Sequence, residues 1–357
     1  MKKSIIIAAL MAIPFFAGAV QRITANDTRV VIEGVCNIEY RDSVAILNRH
    51  SDALWEIDVP IAKKKARTQS GVTIVFRTDS RTVRPIFVDN QEGEHRKATN
   101  WYGIYRNGLF VDNRTADNLV LQGDGTMTEW TIVLPILYSV DYSGLIIEDG
   151  ARMETVCRPS RPVYFAIGDS ITHGAGQTRN GSQITYPYVA AHENGYLLYN
   201  LAVGGSQITP SIADELIGRN IDMISIMWGF NDWNATRGDL NEITARYTKL
   251  LENIIKVQPD AEIFCILPST ALHEYGAKPN KDGSPAKGKP YSATLPQVRE
   301  AQRAVVESFK DKGKVHVLEG YRYTTTDDLF GNVHFNNEGA VKFGKALAAD
   351  MKAVLGE

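Results

Sequence analysis

The chain has 357 residues, 44% of them hydrophobic and 22% charged, with a formal net charge of −2. That length suits two domains better than one, and that composition excludes disordered and fibrous architectures. With no basic excess to neutralise phosphates, a nucleic-acid partner is not expected, and three cysteines (Cys36, Cys157, Cys265) exclude a disulfide-dense scaffold.

The first residues read as an export signal. Lys2 and Lys3 precede an apolar run from Ile5 to Phe16, and Ala17-Gly18-Ala19 supplies the small residues that signal peptidase prefers. Residues 1–19 are therefore expected to be a signal peptide and the mature chain periplasmic or secreted. No cysteine stands at the cleavage point to take a lipid, and no later apolar run is long enough to span a bilayer. Export permits a disulfide, with Cys36 and Cys157 as the candidate pair.

Residues 26–156 read as an all-β sandwich, jelly-roll-like. Arg29 to Ile32, Gly71 to Phe76, Val83 to Val88 and Glu129 to Leu134 are short runs rich in β-branched residues. Asp79-Ser80, Asn107-Gly108 and Gly123-Asp124-Gly125 separate them as turns. Asp42 to Asn48 is the one stretch that hints at a helical turn. Lys63-Lys64-Lys65 is expected to be a solvated turn.

Past the connector Cys157 to Pro162 the period changes, and residues 160–357 form a second unit. Val163 to Ile167, Leu197 to Leu201, Ile221 to Met227, Ile263 to Leu267 and Val315 to Leu318 read as fully buried strands. Helices are expected between and after them: Asn241 to Val257, with Ile243, Tyr247, Leu250, Leu251, Ile254 and Ile255 on one face, then Gln297 to Lys310 and Asn337 to Leu355. The alternation predicts an α/β fold with a doubly wound, parallel five-stranded sheet.

In such a sheet, ligands collect at the carboxyl ends of the strands. The first strand runs into Gly168-Asp169-Ser170, the second into Gly204-Gly205-Ser206 and the third into Gly229-Phe230-Asn231; His334 comes late, in Asn332-Val333-His334. A serine, a histidine, a glycine N–H and an amide side chain are the parts of an acyl-transfer site. His334 takes the Ser170 proton, while Ser170 N–H, Gly205 N–H and the Asn231 amide bind the oxyanion. Asp169 is expected to brace the turn, and His173 to face solvent on the first helical turn.

These four segments, in this order, resemble the four signature blocks of the SGNH (GDSL-type) hydrolases over roughly residues 160–357. The resemblance implies Ser170 as nucleophile, His334 as base and Gly205 and Asn231 as oxyanion donors. The region before it is similar to the β domain that often precedes these hydrolases in exported bacterial proteins, on Val59-Pro60, Val75 to Ser80 and Tyr102 to Tyr105. The family places an Asp three residues before the histidine; here that residue is Gly331. The third triad member is then Asp328, with Asp327 next, or a backbone carbonyl completing a Ser-His dyad.

The remaining histidines lack metal-ligand spacing and no Cys-x-x-Cys occurs, so no metal is predicted. No cofactor is implied. Trp228 and Trp233 either stack on a sugar, close an acyl pocket or pack in the core. The polar segment Ser269 to Pro296 is expected to border the active-site mouth. The reading is an exported serine esterase acting on small acyl esters, O-acetyl groups on carbohydrate first among them. The partner is a small-molecule or glycan ester, without membrane insertion; oligomeric state is not encoded legibly. The rival readings are a lipase or lysophospholipase of the same fold and a non-catalytic glycan-binding protein with a decayed site.

Overall fold

The computed structural model describes residues 18–57, 62–276 and 290–356. The apolar run Ile5 to Phe16 and the Val59-Pro60 pair lie outside the described residues.

The first half is built from two antiparallel sheets of six strands each. One has Thr82–Asp89 and Val140–Glu148 at its centre; Val20–Ile23, ahead of the expected start at Asn26, pairs with Val140–Glu148. The other is centred on Thr73–Thr78, Thr128–Val133 and Tyr102–Arg106. Alternate residues of both sheets meet in one core, with Leu47, Val83, Tyr142 and Leu145 against Ile74, Phe76, Ile104 and Trp130. The two faces thus bury each other as a sandwich.

The helical turn expected over Asp42 to Asn48 is instead a hairpin. Asp42 adopts a left-handed φ of 55°, and Val44–Asn48 then pairs with Asn37–Arg41. Ala45 and Leu47 face the core while their neighbours are half-buried, a strand period that the short Val-Ala-Ile-Leu run concealed. All three cysteines are free thiols. Cys36 packs against the core of the second half and Cys157 is exposed, so the candidate disulfide does not form.

The second half holds five parallel strands: β1 (Val163–Gly168), β2 (Leu197–Asn200), β3 (Met223–Met227), β4 (Glu262–Ile266) and β5 (Val315–Leu318). Their order is β2-β1-β3-β4-β5. The main helices are α1 (Ser170–His173), α2 (Tyr186–Asn194), α3 (Phe230–Thr236), α4 (Leu240–Val257), α5 (Leu295–Glu307) and α6 (Asn337–Leu355). Asp239 caps α4 by accepting from the Asn241 and Glu242 N–H groups, and Ile243, Tyr247, Leu250, Leu251 and Ile254 form its buried face. Helix α5 starts earlier than its apolar period suggests, because Thr294 and Gln297 form a capping box with Pro296 in the first turn. Asn336 caps α6 through the Gly339 N–H, 2.8 Å. Helix α2 packs on α6 and α4 on α5. The crossover direction reverses between β2 and β3, so the crevice at the carboxyl ends of β1 and β3 is the switch point where such folds hold ligands.

The halves are joined by buried polar contacts. Arg49, 1% exposed, donates to the carbonyls of Thr68, Asn200 and Ala202. Burial lowers its pKa to about 10, leaving it cationic at neutral pH. His50 Nδ1 meets the Glu215 carboxylate at 3.0 Å, both side chains fully buried, and Ser182 donates to Leu134 O. Because charged donors to carbonyls are strong and their loss strands buried acceptors, Arg49→Met is expected to cost about 3 kcal/mol or more. Urea unfolding checks this; an unchanged midpoint would show that the joint does not depend on the guanidinium.

Candidate active site

Ser170 sits two residues past the end of β1, where Asp169 turns the chain into α1. Asp169 accepts the Ile171 N–H at 2.9 Å. Its carboxyl is 2% exposed; burial raises its pKa to about 7, against the pull of the Ile171 bond, with Asp232 adding to the rise. Asp232 is held up at about 6, mainly by burial, while it accepts the Ile208 N–H at 3.0 Å. The expected bracing role of Asp169 matches its contacts.

His334 arrives on a short hairpin, Leu329–Phe330 paired with His334–Phe335. Its Nε2 lies 2.9 Å from Ser170 Oγ. The segment after α1 seats this hairpin. Gly176 has φ +101°, and a Cβ there would stand 2.4 Å from Phe335 O and 2.8 Å from the His334 Cβ, so only glycine lets the two segments touch. Gln177 Nε2 donates to Phe335 O.

Asp328 does not reach the histidine. Its carboxylate accepts the Thr325 N–H at 2.7 Å and the Lys342 ammonium at 2.8 Å. Burial raises its pKa, but these two bonds outweigh it and the net shift is downward. Asp327 is exposed, its backbone carbonyl accepting from Asn336. Gly331, at the position where the family places its Asp, lies at the hairpin turn with φ +75°. Among the described residues no carboxylate bonds the His334 ring.

Gly205 and Asn231 converge on Ser170. Both line a cavity of about 260 Å³ with Ser170, His334, Phe230 and Val333. The Ser170 and Gly205 N–H groups donate to no described residue. The Asn231 amide donates to Ser206 O at 2.9 Å and to Asp169 Oδ2 at 3.3 Å, so it must release the longer bond to serve an oxyanion.

His173, read from sequence as solvent-facing, is fully buried beneath the oxyanion loop. Its Nδ1 accepts the Gly204 N–H at 3.1 Å and its Nε2 meets Thr68 Oγ1 at 2.7 Å; Thr68 Oγ1 in turn donates to Lys65 O. Lys65 Nζ then donates to Gly204 O at 2.9 Å. The Gly204 peptide is thus gripped at both ends, which aims the next amide, Gly205 N–H. Burial, with the charges of Arg49, His50 and Lys65, holds His173 neutral, as its acceptor role requires. Lys65 is half-buried, not the solvated turn residue that Lys63-Lys64-Lys65 suggested. These contacts cross the chain over long separations, so no local pattern announced them.

Trp228 and Trp233 are core residues, 3% and 1% exposed; Trp228 Nε1 donates to Ser206 Oγ and Trp233 Nε1 to Ala293 O. Of the long polar segment, Leu272 N–H donates to Asn332 O, which ties it to the His334 hairpin; residues 277–289 lie outside the described residues.

A sequence pattern for the GDSL-like lipase/acylhydrolase family matches residues 166–341. This chain carries a GDSL-like acylhydrolase domain. It is a carboxylic ester hydrolase by class. No curated protein matches the chain by sequence. Among solved structures, it is similar to SsfX3, a salicylyl-acyltransferase from a tetracycline biosynthetic pathway (TM-score 0.75, 19% identity, 94% of this chain and 97% of that one). It is also similar to a family two carbohydrate esterase from Clostridium thermocellum (0.61, 18%, 81% and 94%). A third is an acetyl xylan esterase from the rumen bacterium Butyrivibrio proteoclasticus (0.60, 14%, 95% and 99%). At these identities the likeness is one of fold.

In the GDSL-like domain, burial first, then the charges of Arg96 and Lys65, hold the His334 imidazole below its ordinary value of 6.5. Only the neutral imidazole accepts a proton, so kcat/KM should rise with pH through an apparent pKa below 6.5. Removing a nearby cation stabilises imidazolium, so Arg96→Gln should shift that limb upward; a pH profile of both proteins measures it. Asp328→Asn should keep kcat within about threefold while His173→Ala lowers it about 10- to 100-fold, the scale of a disturbed oxyanion donor. Steady-state kinetics on thermally matched samples separate the two. A collapse in Asp328→Asn would return that carboxylate to the site.

Proposed function

We propose that the chain is an exported serine esterase that removes small acyl groups, acetyl first among them, from carbohydrate. The observation that carries the reading is the 2.9 Å bond between Ser170 Oγ and His334 Nε2 beside the free Gly205 N–H. Ser170 Oγ attacks the ester carbonyl as His334 Nε2 takes its proton. The oxyanion settles against the Ser170 and Gly205 N–H groups, with Asn231 at the same edge. His334 returns the proton to the leaving alcohol, then draws one from water as it attacks the acyl-enzyme, and passes that proton to Ser170 Oγ as the acyl–oxygen bond breaks and the acid leaves.

Ser170 and His334 act as a dyad in this reading. Asp328 serves the hairpin, through Thr325 and Lys342, rather than the imidazole. The cavity beside the Ser170 hydroxyl, about 260 Å³, is of a size that suits a small acyl group. Three neighbouring folds act as carbohydrate esterase, acetyl xylan esterase and acyltransferase by their names, and so favour acyl transfer, with a carbohydrate ester as substrate in two. Export rests on Lys2, Lys3 and the apolar run from Ile5 to Phe16. Among the described residues no helix is long and apolar enough to cross a membrane. Residues 26–156 are proposed as a supporting β unit and 160–357 as the hydrolase unit.

Ser170→Ala should abolish acetate release from acetylated glycans and labelling by a fluorophosphonate. p-Nitrophenyl acetate should be cleaved faster than its long-chain counterparts. A preference for long chains would contradict the small-acyl reading and favour a lipase.

A further inference from the structure

The cavity around Ser170 has two cations on the wall supplied by the β half. Lys65 and Arg96 line it beside Leu137, and among the described residues no Asp or Glu side chain does. Lys65 Nζ uses one N–H on Gly204 O, leaving the ammonium two more donors. It stands 3.6 Å from where a Cβ on Gly205 would lie, at the lip of the oxyanion loop. Arg96 is anchored by its backbone N–H to Leu137 O and by Nε to Glu94 at 3.0 Å. Its two terminal NH2 groups donate to no described residue. Glu94 lies against Arg96 as the nearest countercharge, so the wall keeps a net positive charge.

Two cations facing one small cavity repel each other, and Arg96 does push the half-buried Lys65 ammonium toward its neutral form, after burial itself. Neither is needed to polarise the ester, since the backbone N–H groups do that. A cleft lined by one sign of charge concentrates ligands of the other sign. We infer that the natural ester carries an anionic group on its sugar, a carboxylate or a sulfate, and that Lys65 and Arg96 form the subsite for it. A guanidinium edge takes two oxygens of such a group and the ammonium acts as a point charge beside it. The inference rests on the esterase reading above and adds to it the substrate class. It also gives the β half a direct part in substrate choice.

The test follows acetate release by the full-length chain from the mono-O-acetyl isomers of methyl glucoside, methyl glucuronoside and methyl glucoside 6-sulfate. The ring is the same and the compounds differ only in the group at C6, so rates are compared for the 2-, 3- and 4-O-acetyl isomers that all three share. A charged hydrogen bond sets the scale: kcat/KM for at least one anionic ester should exceed the neutral one by about tenfold or more at low salt. That excess should shrink as salt is added. The uronate leading identifies carboxylate; the sulfate leading identifies sulfate. Arg96→Glu should bring the anionic-to-neutral ratio below one, and because the ratio is taken within one protein, loss of folded material cancels. Equal rates on all three esters, or a ratio that Arg96→Glu leaves unmoved, overturns the inference and leaves the esterase reading standing. Acetate from none of them also overturns it. Fluorophosphonate labelling of Ser170 then decides whether the esterase reading falls as well.

Discussion

A single hydrogen bond joins two side chains 164 residues apart, Ser170 and His334, and most of the second half exists to make it. Neither group is reactive alone. The serine needs a base within hydrogen-bond reach, and the base needs to be neutral. The parallel sheet fixes Ser170, because β1 is buried on both faces and its end is set by the ladders to β2 and β3. The hairpin fixes His334, because Gly176, Gln177 and the Asp328–Lys342 pair hold its two short strands from both sides. Asp328 thus ties the start of the hairpin to α6 without touching the base.

The β half enters this geometry through Gly204. The short helix Lys63–Ala66, with Thr68 just after it and His173, closes a ring of hydrogen bonds around that one residue. Preorganised amides stabilise a transition state because they need no reorientation when charge develops. The Arg49 bonds to Asn200 and Ala202 hold the oxyanion loop at its root. The two halves are therefore coupled at the oxyanion site. After burial, the positive charges of Arg96 and Lys65 also lower the His334 pKa, an effect opposite to that of a triad aspartate, which favours imidazolium.

Much of this was legible in the chain. Strands apolar on both faces and the one-sided pattern of Asn241 to Val257 announced a parallel sheet with helices, since those periods follow from packing alone. Ser170, Gly205 and Asn231 were legible because each follows a buried strand closely, and strand ends in such a sheet share an edge. His334 was readable as the late histidine. Asp42 to Asn48 was misread because seven residues are too few to separate a strand from a helical turn. Asp328 was misplaced because it closes a capping box with Thr325 and pairs with Lys342 of α6. His173, Lys65 and Arg96 gave no local signal; their roles arise where the halves meet, and sequence spacing carries no information about that contact.

The most direct test is to trap the intermediate. The chain is mixed with an acetyl ester, quenched in acid within a turnover and digested for mass spectrometry. The account predicts one acetyl group, on the peptide containing Ser170, accumulating in a variant such as His334→Ala only when a good leaving group is supplied. An acetyl group on another residue, or hydrolysis with no acyl-enzyme under any leaving group, would contradict it.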